Sequence, residues 1–150
     1  MTYEELKAKM DDCHYIYDET LATILYVSLQ LGRPLLIEGA AGVGKTEVAK
    51  VMASALGRDL VRLQCYEGLD ESKALYEWNY QKQLLSIQVN MNAQDKDSLT
   101  KSLFSDEYLL ERPLLQSIRS EKPVVLLIDE IDKADEELEA FLLELLSEIQ

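Results

Sequence analysis

Gly39-Ala40-Ala41-Gly42-Val43-Gly44-Lys45-Thr46 is the stretch whose reading decides the fold. It fits G-x-x-x-x-G-K-[S/T] at each fixed position. The glycines permit backbone angles that a side chain forbids, so successive N–H groups can turn inward around a phosphate. A helix that begins at the end of the loop aims its positive pole at the same anion. Lys45 adds a mobile cation for β- and γ-phosphates, and Thr46 offers a hydroxyl to Mg²⁺. The nucleotide contacts expected here are Gly39, Ala40, Ala41, Gly42, Val43, Gly44, Lys45 and Thr46, with Glu47 at the border of the loop. For Glu38 and Glu47 a structural reading is better than a chemical one. Glu38 leaves a strand, and Glu47 lies in the first turn of a helix, where negative charge is favourable.

Outward from the loop, Leu35-Leu36-Ile37 is a short apolar run, the mark of a strand buried on both faces. Before it, Asp18 reads as a helix N-cap, and the apolar residues of 21–31 form a helix. Gly32 stops that helix and Pro34 prevents its restart. After the loop, Val48, Ala49, Val51, Met52, Ala55 and Leu56 give a helix closed by Gly57. Residues 60–63 form a second strand. Residues 70–89 read as one long helix, 90–97 as a loop, and 104–118 as helical, interrupted where Pro113 opens a new first turn. Residues 124–128 make the strongest strand. A turn follows, then a helix with Leu138, Phe141, Leu142, Leu145, Leu146 and Ile149 on one face. Strands alternating with helices predict an α/β fold of P-loop type, three-layer α/β/α with a parallel sheet.

The second chemical element is Val124-Val125-Leu126-Leu127-Ile128-Asp129-Glu130, an apolar strand that ends in two carboxylates. Asp129 at the strand tip suits Mg²⁺, held through water. Glu130 suits polarisation of an attacking water as general base. Strands often end in acidic turns, so this element takes its weight from the loop. Together the two motifs predict ATP and Mg²⁺ as cofactors, Glu130 and Lys45 as catalytic residues, and Thr46 and Asp129 as metal ligands.

The chain of 150 residues has the size of one domain and a net charge of -13. Such acidity argues against nucleic-acid binding, which wants Lys and Arg clustered on one face. It describes a solvated surface; attraction to a basic partner would need more than charge to support it. Cys13, Cys65 and a single His14 offer no Cys/His metal site, and reduced thiols are expected. Cys65 reads as a small buried apolar residue. The first twelve residues lack an apolar segment beside a cleavage site, and residues 21–31 are too short to span a bilayer. A cytoplasmic, membrane-free protein is the expectation.

With both motifs in place, the sequence resembles the AAA+ ATPases and, within them, the MoxR family. The resemblance includes Arg62-Leu63-Gln64-Cys65-Tyr66-Glu67-Gly68-Leu69-Asp70 and Ala74-Leu75-Tyr76-Glu77-Trp78-Asn79-Tyr80. It continues through Asp129-Glu130-Ile131-Asp132-Lys133-Ala134-Asp135 and Phe141-Leu142-Leu143-Glu144. It spans about residues 15–150, and its wording is similar to the branch that includes maturation factors for carbon monoxide dehydrogenase. The resemblance implies ATP hydrolysis in a ring of identical subunits, usually a hexamer. It implies chaperone-like remodelling of a metalloenzyme client and a partner with a von Willebrand A-type domain. Tyr15 and Ile16 resemble the stretch that packs on adenine, with a plain helix-entry staple as the alternative. Residues 65–122 correspond to a helical insert region that works on substrates. There Tyr76, Trp78 and Tyr80 are read first as packing a helix onto the sheet and second as client contacts.

The same resemblance divides the chain into an N-terminal helical region (1–33), the loop strand, its helix and a second strand (34–64), the insert (65–122), and the acidic strand with its following helix (123–150). Residues 1–150 correspond to the N-terminal part of an ATPase core. The sensor strand, arginine finger and helical lid of the family pattern have no counterpart, which sets the expectation of a gap between the loop strand and the acidic strand. Loss of the finger, worth about 10³–10⁵ in rate, puts turnover in question. The alternatives are a nucleotide-binding or subunit-interaction module without turnover and, further off, a P-loop kinase. A kinase needs lid arginines, and Arg112 and Arg119, the only arginines within residues 104–121, carry no mark of a lid.

Overall fold

The computed structural model describes residues 1–89, Leu103, Ser105 and residues 109–148. Three helices build the first core. Helix α1 (Tyr3–Asp12) opens on a capping box: Thr2 Oγ1 accepts from the Glu5 N–H at 3.2 Å, and the Glu5 carboxylate accepts from the Thr2 N–H at 2.8 Å. This start lies within the helical region expected over residues 1–33, and Thr2-x-x-Glu5 is its sequence signal. Helix α2 (Glu19–Leu31) begins at Asp18, whose Oδ1 accepts from the Leu21 N–H at 2.7 Å, and ends at Gly32 with φ of 61°. Helix α3 (Lys45–Leu56) ends at Gly57 with φ of 62°. Leu6, Met10, Leu25, Val48, Val51, Met52 and Ala55 are buried together where the three helices meet.

The second core lies under a parallel pair, β1 (Leu60–Gln64) and β4 (Val125–Asp129), in register from Leu60 opposite Val125 to Gln64 opposite Asp129. Leu63, Cys65, Leu69, Ala74, Leu114, Leu138 and Leu142 fill it. Cys65 is the small buried residue expected, and burial pushes its thiol pKa up, with nearby Asp129 adding to the shift. The last helix, α7 (Glu136–Glu148), buries Leu138 and Leu142 and half-buries Phe141, Leu145 and Leu146 as its spacing predicts; Ile149 lies outside the described residues.

Several expectations are corrected. The run Leu35-Leu36-Ile37 joins no sheet among the described residues. Leu35 and Ile37 pack against the first core, but Leu36 is 70% exposed, so the segment is not buried on both faces. The physical reason is the lack of a ladder partner: among the described residues β4 pairs with β1 alone, and no strand pairs with this run. A cleft of about 320 Å³ lies between Arg33 and Pro34 on one side and Leu143, Leu146 and Ser147 of α7 on the other.

The single helix expected over residues 70–89 is instead α4 (Glu71–Leu75), β2 (Tyr76–Trp78) and α5 (Tyr80–Val89). Aromatic residues favour strand, and β2 finds an antiparallel partner in β3 (Leu109–Glu111), Tyr76 opposite Glu111 and Trp78 opposite Leu109. The Arg112 N–H extends this pairing to the Leu75 carbonyl at 3.0 Å. Asn79 Oδ1 then accepts from the Lys82 N–H at 3.0 Å and starts α5. Strand β3 likewise replaces helix at residues 109–111 of the expected 104–118, of which Phe104 and residues 106–108 lie outside the described residues. Pro113 does open a new helix, α6 (Pro113–Arg119), at its first turn. The aromatics do not pack a helix onto the parallel sheet. Tyr76 and Trp78 meet edge to face at 6.2 Å in β2, and Tyr80 is 65% exposed. The loop expected over residues 90–97 lies outside the described residues.

Candidate nucleotide-binding site

Parallel pairing brings the C-terminal tips of β1 and β4 together, and α3 packs against β4 with its N-terminus at the same end. Thr46 Oγ1 of α3 lies 3.4 Å from Asp129 Oδ2 of β4, joining two motifs that are 83 residues apart in sequence. Arg62 Nη2 donates to the same Oδ2 at 2.6 Å, and the Glu130 N–H donates to Oδ1 at 3.1 Å. The Asp129 side chain is 19% exposed and that of Arg62 is 50% exposed.

Glu130 follows the strand tip in a left-handed conformation, φ 55°. Its carboxylate pairs with Lys133, one 3-10 turn (Ile131–Lys133) further on. The Lys133 hydrogen bond holds the Glu130 carboxyl below its ordinary pKa, with a smaller contribution from Gln64; the ammonium of Lys133 is raised in turn by Glu130.

The loop itself takes the backbone angles its glycines predict, φ 80° at Gly42 and 88° at Gly44. A side chain at Gly39 would bring a Cβ within 3.4 Å of Val43 Cγ2. Lys45 Nζ donates to the carbonyls of Gly39 at 2.5 Å and Ala40 at 2.6 Å, folding its ammonium back over the loop. Gly44, the N-cap, has no side chain to cap α3, and within the first turn the Glu47 N–H donates to the Gly44 carbonyl at 3.0 Å. Glu47 pairs with Lys50 at 2.8 Å, in keeping with a first-turn structural role. It also adds to the rise in the Tyr15 phenol pKa, which burial dominates, so Tyr15 stands close to the loop helix. Tyr15 stacks on Tyr17 at 6.4 Å, while Ile16 is 94% exposed.

The donor set fits a nucleotide with Mg²⁺. Two hard oxygens, Thr46 Oγ1 and Asp129 Oδ2, approach to 3.4 Å, and the Lys45 ammonium lies over the loop that precedes Thr46. Among the described residues no cluster of three or more His, Cys, Asp or Glu side chains forms an all-protein metal cage. Mg²⁺ needs none, since it keeps water and binds through one or two protein oxygens plus phosphate.

A family model described as an AAA domain of the dynein-related subfamily matches residues 34–150. The chain belongs to this AAA family. Nucleotide binding and ATPase activity in general come with that membership, and oligomerisation is common in it. Curated proteins and solved structures give no match. The parallel pair, α3 and its loop are consistent with a partial P-loop α/β fold in this AAA domain. None of its described helices is long and apolar enough to cross a membrane.

Sequence reading missed three side chains around the acids of the AAA domain: Arg62, Gln64 and Lys133. The signal for two of them was the period of β1. Arg62 and Gln64 alternate with buried Leu63, so both face away from the core at the strand tip. Arg112 and Arg119, the arginines of the kinase alternative, are paired with Glu77 at 3.4 Å and Glu111 at 2.8 Å.

Proposed function

We propose that this chain is the nucleotide-binding part of a cytoplasmic MoxR-type AAA+ ATPase, with residues 34–64 and 123–150 forming the ATP site. The observation that carries the reading is the 3.4 Å approach of Thr46 Oγ1 to Asp129 Oδ2. Residues 39–46 cradle the phosphates through their backbone, and Lys45 exchanges its loop carbonyls for phosphate oxygens. Thr46 and Asp129 hold Mg²⁺, which when bound neutralises phosphate charge. Glu130 orients and deprotonates the attacking water once it leaves Lys133. Tyr15 and Ile16 flank the adenine. Residues 1–33 support the site, and residues 65–122 form the insert that meets a client through Tyr76, Trp78 and Tyr80. A homomeric ring, a metalloenzyme client and a von Willebrand A-type partner complete this reading.

A second reading, a module that binds nucleotide without turnover, is favoured by one observation: both acids already hold cations, Arg62 on Asp129 and Lys133 on Glu130. Titration with a fluorescent ATP analogue and Mg²⁺, beside Lys45→Ala, tests binding; phosphate release separates the two readings. Saturable binding lost in Lys45→Ala, with phosphate released, supports the ATPase. Binding without release favours the module, and no binding removes both.

A further inference from the structure

We infer that Arg62 is a positioning residue that acts as the resident counter-ion of Asp129 and competes with a divalent cation for the same carboxylate oxygen. The inference rests on the nucleotide-site reading above and adds to it the residue that sets the metal requirement. Three donors occupy Asp129: Arg62 Nη2 and Thr46 Oγ1 on Oδ2, and the Glu130 N–H on Oδ1. The guanidinium takes the short contact, 2.6 Å against 3.4 Å for the hydroxyl, on the oxygen that faces Thr46. Oδ2 is also the oxygen best placed to share a cation with Thr46.

A surface ion pair is worth little by itself. This one differs in its placement: the carboxylate is mostly buried, while the arginine is half exposed and has solvent to move into. A competing cation therefore breaks the pair by displacing the guanidinium from the carboxylate. The strand pairing fixes the contact. Gln64 stands opposite Asp129, and Arg62, two residues before it on the same face, reaches the acid along the diagonal. A cation that uses Oδ2 must therefore push Arg62 aside or bind through water, and the negative charge of a bound nucleotide favours that exchange. Arg62 thus raises the cation concentration the site needs and biases it towards nucleotide entering first.

The test measures the free Mg²⁺ concentration at which binding of a fluorescent, non-hydrolysable ATP analogue reaches half of its Mg²⁺-dependent tightening, with binding in chelator as the reference. Arg62→Gln is expected to lower that midpoint by about tenfold, the scale of one unit charge removed beside a partly buried acid. Affinity in chelator should be little changed. Arg62→Lys, which keeps the charge, should stay nearer the parent, a rescue that a merely structural role does not give. Arg62→Met repeats the comparison if Gln disturbs binding in chelator. An unchanged or higher midpoint in the neutral variants, with Lys45-dependent binding intact, overturns the inference and leaves the nucleotide site standing. Absence of Lys45-dependent binding in the parent overturns both.

Discussion

Glu130 and Lys133 form an exposed pair whose sign is set by the shifts on both partners: the carboxyl is lowered and the ammonium raised. A carboxyl lowered on folding contributes stability above its unfolded pKa and loses that contribution as pH falls through the folded value. We therefore expect Lys133→Met to melt slightly below the parent at neutral pH and to converge with it in acid. Melting curves in buffers from neutral to acidic read this directly, and a gap that widens in acid would contradict the assignment. The same pair occupies the carboxylate of the proposed base. Glu130→Gln should keep ATP-analogue binding and lose phosphate release; equal turnover in the variant would take Glu130 out of its role.

At the scale of elements, helix ends are where sequence chemistry is most direct. Asp18 caps α2 through the Leu21 N–H, and Gly57 ends α3 in a left-handed conformation with open space around it. Asp18→Ala and Gly57→Ala should each cost about 1 kcal/mol in urea unfolding. A Gly57→Ala variant as stable as the parent would show that the left-handed turn is not held. These ends, with Gly32 and Pro113, were legible because one residue and its immediate neighbours decide them. The loop and the acidic strand were legible for the same reason, each being a contiguous motif. Residues 76–78 were not: their helix-compatible run becomes strand only because residues 109–111 pair with it, a contact between segments more than thirty residues apart. Leu35-Leu36-Ile37 differs in the opposite sense, a strand-like run with no pairing neighbour among the described residues. Arg62 escaped because its role is set by register across β1 and β4.

Across the whole molecule, the two cores share no buried residue. Leu6 is fully buried where α1, α2 and α3 meet, and Leu114 is fully buried beneath the parallel pair. Leu6→Ala and Leu114→Ala should each destabilise by about 2–5 kcal/mol. The double variant should equal their sum within about 0.5 kcal/mol, because the sites share no packing partner. Strong non-additivity in a double-mutant cycle would show one continuous core. Among the described residues β4 pairs with β1 alone, and Leu36 and Leu143 are exposed. Glu130 sits at the tip of that same strand with φ at 55°, where an amino acid with a side chain is held against its own preference and glycine or asparagine would rest at ease. A population of variants screened only for heat tolerance should therefore drift to Gly or Asn at position 130. A population screened for phosphate release should keep Glu, and position 130 would record which pressure had acted.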